Sequence, residues 1–294
     1  MEENKKRNFV KTGAGQEKYV GPKIRIVAMD LDFTLLDDKK QISEHTQNVL
    51  REAAAAGIQI IPATGRIFKA IPEFLRTTEG IRYYMCCNGA TIYDRVEDKV
   101  IYANHMPKET VFGILGVFDK YRCTQDIYRN GQGYMEDRFL DHLGEFGVEG
   151  PMYDLVKRTR KSVSDLRAEI EKDPFGIEKT QGFFPNEMER QACMAELKEL
   201  NIASVSSAVF NNIEVNQFHC DKGDGLTHLA AYLGIPMEQV MACGDASNDE
   251  QMLNAAGFAV VMENGMEELK RKADFITKSN NEDGVAYAIE KFVL

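Results

Sequence analysis

The chain has 294 residues, of which 44% are hydrophobic and 28% charged, enough for one large domain or two smaller ones. That balance excludes disorder, collagen and coiled coil as whole-chain answers, and a chain of this length buries a core without disulfide or metal staples. With 46 Asp and Glu against 36 Lys and Arg, the formal charge of −10 argues against a nucleic-acid or anionic-membrane binder, which needs a positive surface.

Residues 1–22 carry Lys5, Lys6 and Arg7, then Gly13, Gly15, Gly21 and Pro22, with no apolar run of the kind a secretory signal contains. They read as a flexible polar arm. Residues 24–29 form a β-branched apolar run that stops at Asp30-Leu31-Asp32, the pattern of a buried strand entering a polar loop. Ser43 opens a helix that Gly57 closes. Residues 59–63 are a second strand, leading into Thr64-Gly65-Arg66. A helical segment over 67–75 follows, with Pro72 as a break or restart. Residues 83–87 are a third strand. Strand, helix, strand, helix, strand predicts parallel pairing with helices on the faces.

Between about residues 91 and 212 the alternation loosens. Hairpin strands are predicted near 91–93 and 100–102, helices near 109–121 and 187–200, and aromatic bulk at Phe175, Phe183 and Phe184. After Ile213 the earlier rhythm returns, with a helix stopped by Gly234, strands at 239–243, 258–262 and 275–277, and a last helix ending near Phe292. One α/β domain interrupted by an α+β insertion accounts for both halves.

Four loops carry the chemistry, three of them directly after predicted strands, where open α/β sheets bind ligands. In Asp30-Leu31-Asp32-Phe33-Thr34-Leu35 two carboxylates can divide labour, one as nucleophile toward phosphorus and the other as general acid and base. The bland alternative is a polar turn with a helix cap. Thr64-Gly65-Arg66 offers a hydroxyl, backbone N–H groups and a guanidinium to an anion. Lys222-Gly223 precedes a helix. Gly244-Asp245-Ala246-Ser247-Asn248-Asp249 sets carboxylates and an amide at a strand end, an oxygen donor set that suits Mg²⁺. The five histidines lack metal-ligand spacing. The six cysteines form no CxxC pair and read as reduced thiols, and no run reaches the roughly 20 apolar residues of a membrane helix. A soluble cytoplasmic protein is expected, monomeric or weakly homo-oligomeric, with no nucleic-acid or membrane partner.

Taken together, Asp30-Leu31-Asp32-x-Thr34-Leu35, Ala63-Thr64-Gly65-Arg66, Asn88-Gly89-Ala90, Lys222-Gly223 and Gly244-Asp245-x-x-Asn248-Asp249 resemble the haloacid dehalogenase-like (HAD) phosphatases, in their Cof-like class IIB branch. The tail is similar too, in Ala255-Ala256-Gly257 and Val261-Met262-Glu263-Asn264. The resemblance implies a Rossmann-like parallel-sheet core from residues 23–90 and 214–294, with residues 91–213 as an inserted α+β cap. It implies that Asp30 attacks the phosphoryl group and that Asp32 protonates the leaving oxygen and then activates water. Mg²⁺ would be held by Asp30, the carbonyl of Asp32, Asp245 and, at one remove, Asp249. Thr64, Gly65, Arg66, Asn88, Lys222 and Asn248 would bind the phosphate of a small phosphorylated metabolite, with sugar phosphates expected. A phosphomutase and a non-catalytic phosphometabolite sensor are the alternatives. One residue departs from the pattern. Phe33 stands where the family more often has glycine, and an ordinary backbone conformation is expected there, with the ring toward the leaving group.

Overall fold

The computed structural model describes residues 9–11, 17–172, 176–207 and 210–294. Residues 1–8 and 12–16 of the expected arm, and Phe175, lie outside the described residues. The chain divides into two compact units, one made of Met1–Pro62, Phe74–Tyr83 and Leu226–Leu294, the other of Ala63–Glu73 and Tyr84–Gly225.

The first unit is built on a five-stranded parallel sheet. Its order is Phe275–Ile276, Phe258–Val261, Val240–Gly244, Ile26–Met29, Gln59–Pro62. These are the apolar runs of the sequence, and the three central strands are fully buried, as strands covered on both faces must be. Chain order reverses between Ile26–Met29 and Val240–Gly244. That is the switch point at which such sheets bind ligands.

Helix Glu44–Ala55 starts where the sequence predicts, with the Ser43 hydroxyl accepting the Thr46 N–H at 3.0 Å. Its apolar stripe of Val49, Leu50 and Ala53 is buried, and it packs against the last helix, Gly284–Phe292. Pro72 does interrupt the segment after the second strand: a single turn at Phe68–Ala70 is followed by a new helix at Glu73–Thr77. Within the segment expected as an arm, Phe9–Lys11 pairs antiparallel with Glu17–Tyr19. Tyr19 sets its ring edge-on to Phe258 and Phe292, at 5.1 and 5.6 Å, and donates its hydroxyl to the Pro22 carbonyl. These contacts tie the end of that segment to the core of the first unit.

The second unit holds a six-stranded sheet in the order Arg160–Val163, Gln132–Glu136, Asp126–Arg129, Lys179–Phe183, Asn212–Gln217, Ala203–Ser206. Only the first pair is parallel. One face carries Ile127, Ile213 and Val215, which join Val111, Leu115 and Phe118 of helix Lys108–Phe118 and Cys193 and Leu197 of helix Glu187–Leu200 in one apolar core. The other face is polar and still buried. Register places Asp126, Gln181 and Glu214 in one row across three strands, with Tyr128 and Lys179 two residues along.

Buried charges on that face are paired, as they must be. Arg160 Nε donates to Asp126 at 2.7 Å, and Lys179 Nζ donates to Glu214 at 2.6 Å. Burial still pushes the Asp126 carboxyl above its ordinary range, with Arg160 opposing the rise. A second apolar cluster of Met135, Leu140, Leu143, Phe146, Val156 and Phe183 includes residues of the same face.

All six cysteines are free and buried. Burial drives every thiol upward, Cys193 and Cys243 to about 12 with Glu196 and Asp249 adding to it, so the nucleophilic thiolate is scarce at neutral pH. Iodoacetamide at pH 8 should therefore leave the folded protein unlabelled and modify six thiols after unfolding, counted by mass spectrometry. Rapid labelling of Cys243 in the folded protein would contradict the buried strand assigned to it.

Candidate active site

Parallel register delivers the carboxylates. Met29 lies opposite Cys243, and the Asp30 N–H donates to the Cys243 carbonyl at 3.0 Å, so Asp30 and Asp245 leave adjacent strand ends on the same side of the sheet. Asp249 follows one turn later. One carboxylate oxygen from each of Asp30, Asp245 and Asp249 lies within 4.8 Å of the other two, and all three residues are buried. Among the described residues this is the one group of three such side chains with metal-ligand spacing.

Local packing fixes each member. The Thr34 hydroxyl donates to Asp245 Oδ1 at 2.6 Å from a fully buried position. Asp249 Oδ2 accepts the backbone N–H groups of Asp245 and Ala246 at 3.0 and 3.1 Å, which pins the loop after the strand. Asp249 approaches so closely that a Cβ at position 244 would stand 2.6 Å from its own Cβ, so Gly244 is required there. Met266 N–H caps the Asp245 carbonyl at 2.9 Å. The donor set is all oxygen, which fits a hard divalent cation such as Mg²⁺ and not a soft one. Asn248 sits half-buried in the turn between Asp245 and Asp249.

Asp32 and Phe33 turn the chain sharply after Asp30. Asp32 forms a bridge to Leu36, and Leu36 N–H donates to the Leu31 carbonyl at 2.8 Å. The ordinary conformation expected for Phe33 is overturned: its φ is +63°, in the left-handed region that favours glycine. A tight reversal immediately after Asp32 leaves the backbone no other course, and Asn264 Nδ2 holds the Phe33 carbonyl at 2.8 Å. For a non-glycine residue this costs roughly 1–2 kcal/mol. The ring stands against an ammonium group, with Lys40 Nζ 3.8 Å from its centroid, and that same Nζ lies 2.9 Å from Asp32 Oδ1.

In the second unit, three loops that the sequence singled out come together. Thr64 is buried, its N–H donating to Met85 O at 2.9 Å while its hydroxyl accepts the Arg66 N–H at 3.2 Å. Asn88 N–H donates to the Thr64 carbonyl, and Cys87 N–H to that of Arg66. Arg66 sends Nη1 to the Ala70 carbonyl at 3.0 Å. Lys222 is fully buried at the first residue of helix Lys222–Tyr232, whose start is capped by Asp221 Oδ1 accepting from Gly223 and Asp224. Gly89, at φ +94°, passes so close to this turn that a Cβ would stand 2.2 Å from the Asp221 carbonyl. The Asn88 and Lys222 loops are thereby fixed to one another.

Asn88 is more heavily committed than the sequence suggests. Its amide donates to Glu214 Oε2 at 2.6 Å and to Asn216 Oδ1 at 3.2 Å, and Lys179 Nζ reaches the Gly65 carbonyl at 2.6 Å. Lys179, Glu214 and Asn216 went unnoticed in the sequence, as did the roles of Thr34 and Lys40. For Glu214 a signal existed, since an acidic residue alternates with Ile213 and Val215 in a strand.

A parallel sheet with three acidic oxygens gathered at its switch point defines a Rossmann-like α/β architecture with a candidate metal site at its ligand-binding edge. The profile of the haloacid dehalogenase-like hydrolases matches residues 27–289. The chain is 29% identical over 276 residues to the 5-amino-6-(5-phospho-D-ribitylamino)uracil phosphatase YcsE of Bacillus subtilis, covering 92% of this chain and 96% of that one. A solved haloacid dehalogenase-like hydrolase from B. subtilis superposes with a TM-score of 0.80 at 26% identity, over 92% of this chain and all of that one, 100%. The fold of the HAD subclass IIB sugar phosphatase BT4131 is also similar, with a TM-score of 0.76 at 24% identity, over 91% and 98% of the two chains. The chain belongs to the haloacid dehalogenase-like hydrolases and is a phosphoric monoester hydrolase. Among the described residues no helix is long and apolar enough to cross a membrane.

The carboxylate cluster carries a direct test. Mg²⁺ should raise the thermal unfolding midpoint of the wild type, by about 2.7 kcal/mol in stability at a hundredfold excess over Kd. Asp245→Asn should lose that shift while remaining at least as stable without metal, because one buried like charge is gone. An equal Mg²⁺ shift in both proteins would contradict a metal site built on Asp245.

Proposed function

We propose that the protein is a cytoplasmic, Mg²⁺-dependent phosphatase of small phosphorylated metabolites, with sugar phosphates as its substrate class, acting through an aspartyl-phosphate on Asp30. The observation that carries this reading is the convergence of Asp30, Asp245 and Asp249 at the ends of adjacent parallel strands. The substrate class is supported by the relative YcsE, whose named substrate carries a phosphorylated ribityl chain.

In this reading Mg²⁺ would be held by the Asp30 carboxylate, the Asp32 carbonyl and Asp245, steadied by Asp249, and it supplies positive charge against the phosphoryl oxygens. Asp30 attacks phosphorus in line with the ester oxygen. Asp32 gives that oxygen a proton as the P–O bond breaks. Water then attacks the phosphorus of the aspartyl-phosphate, Asp32 takes its proton, and Asp30 is released as a carboxylate with inorganic phosphate as product. Thr64, Gly65, Arg66, Asn88 and Lys222, with Asn248, would hold the phosphoryl oxygens. Charge spread over those oxygens is what such fixed donors stabilise. Residues 91–213 would act as the cap that presents side chains to the organic part of the substrate.

A panel of phosphate monoesters assayed with and without Mg²⁺ tests the proposal. Phosphate release should depend on Mg²⁺, Asp30→Asn should be inactive, and Asp32→Asn should lose about 10²–10⁴ in kcat/KM on alkyl esters. Undiminished turnover by Asp30→Asn would overturn the nucleophile assignment.

A further inference from the structure

We propose that Lys40 and Phe33 form a clasp on the carboxylate of Asp32, with Lys40 acting as a positioning residue for proton exchange with the leaving group; the inference rests on Asp32 being the acid and base.

Two strained residues build the clasp. Phe33 at φ +63° and Lys40 at φ +62° are both non-glycine residues in the left-handed region, and they flank one short loop. Such conformations persist only where the surroundings over-determine them. Here the turn from Asp37 to Gln41 does so. Asp37 N–H donates to the Gln41 carbonyl at 3.0 Å, Lys40 N–H donates to the Asp37 carbonyl at 2.9 Å, and Asp37 Oδ1 accepts the N–H groups of Lys39 and Gln41 at 2.9 and 2.7 Å. Asn280 and Asn281 clamp the loop from outside, each donating its side-chain amide to Asp38, and Asn280 also to the Leu36 carbonyl. The turn therefore aims the Lys40 side chain back toward Asp32.

The ammonium is held from two directions, by the Phe33 ring at 3.8 Å and by Asp32 Oδ1 at 2.9 Å. Most lysine–carboxylate pairs at a protein surface are solvated and contribute little. This one differs, because both side chains are only 19% exposed and the lysine lies against an aromatic face. The contact to Asp32 Oδ1 is a short ion pair, which restrains where the carboxylate sits. Its contribution is geometric. An acid that must meet the ester oxygen as the bond breaks loses rate when its carboxylate swings among rotamers.

Leaving groups read out this role. The 4-nitrophenolate ion departs with little need for a proton, whereas phenolate, a stronger base of nearly the same shape, needs one. On kcat/KM, which reports the first phosphoryl transfer, Lys40→Met should lose about tenfold or more with phenyl phosphate and no more than about threefold with 4-nitrophenyl phosphate. Lys40→Arg should restore most of the phenyl phosphate rate. Phe33→Gly should show the same leaving-group bias without a lower thermal midpoint, since glycine takes φ +63° without strain. Equal losses on both esters in Lys40→Met, or no loss on either, would sink the clasp while leaving the phosphatase reading intact. Undiminished phenyl phosphate turnover in Asp32→Asn would sink the acid–base assignment and the clasp with it.

Discussion

Three buried carboxylates within 4.8 Å of one another are the constraint that the first unit must satisfy. At that spacing each pair of negative charges repels by about 3.5 kcal/mol at an effective dielectric constant of 20. The parallel register that sets Met29 beside Cys243 brings Asp30 and Asp245 together regardless of this cost. The surrounding atoms answer it in part. Thr34 supplies a hydroxyl donor to Asp245, and the N–H groups of Asp245 and Ala246 converge on Asp249. A divalent cation held by these carboxylates would complete the compensation and let an acidic chain act on an anion. Within a chain of net charge −10, the arrangement of Asp30, Asp245 and Asp249 is an oxygen donor set suited to a divalent cation.

The second unit answers a related problem by pairing opposite charges. Its sheet has an apolar face covered by helices and a buried face carrying Asp126, Tyr128, Lys179, Gln181 and Glu214. Opposite charges are matched within that face, Arg160 with Asp126 and Lys179 with Glu214. Lys179 and Asn88 extend the pairing to Gly65 and to the turn before the Thr91–Asp94 strand. Breaking one member of such a pair typically costs about 3–5 kcal/mol, because the other is left charged and buried. The network thus fixes the backbone on which Thr64, Gly65, Arg66 and Asn88 sit.

Much of the parallel sheet was legible because its strands are short apolar runs that end at charged loops. Residues 24–29, 59–63 and 239–243 differ from the observed strands only at their ends. The strands around Asp126, Lys179 and Asn212 were not legible. Their polar residues point to a buried face, so alternation of apolar and polar side chains gave no contrast between inside and outside. Asp30, Asp245 and Asp249 could be grouped from their strand-end positions. Lys40 could not, since a lysine in a loop is ordinary and only the turn at Asp37 aims it at Asp32. Phe33 was misjudged for a related reason: its side chain argues for an ordinary conformation, and the reversal after Asp32 overrides it.

The proposed mechanism requires Asp30 to be the phosphoryl acceptor. Rapid acid quenching during turnover of a phosphate ester, followed by borohydride reduction, converts an aspartyl-phosphate to homoserine that mass spectrometry can locate. The expected result is reduction at residue 30 alone, dependent on substrate and lost in Asp30→Asn. Steady turnover with no reduced residue, or with reduction at any other aspartate, would contradict it.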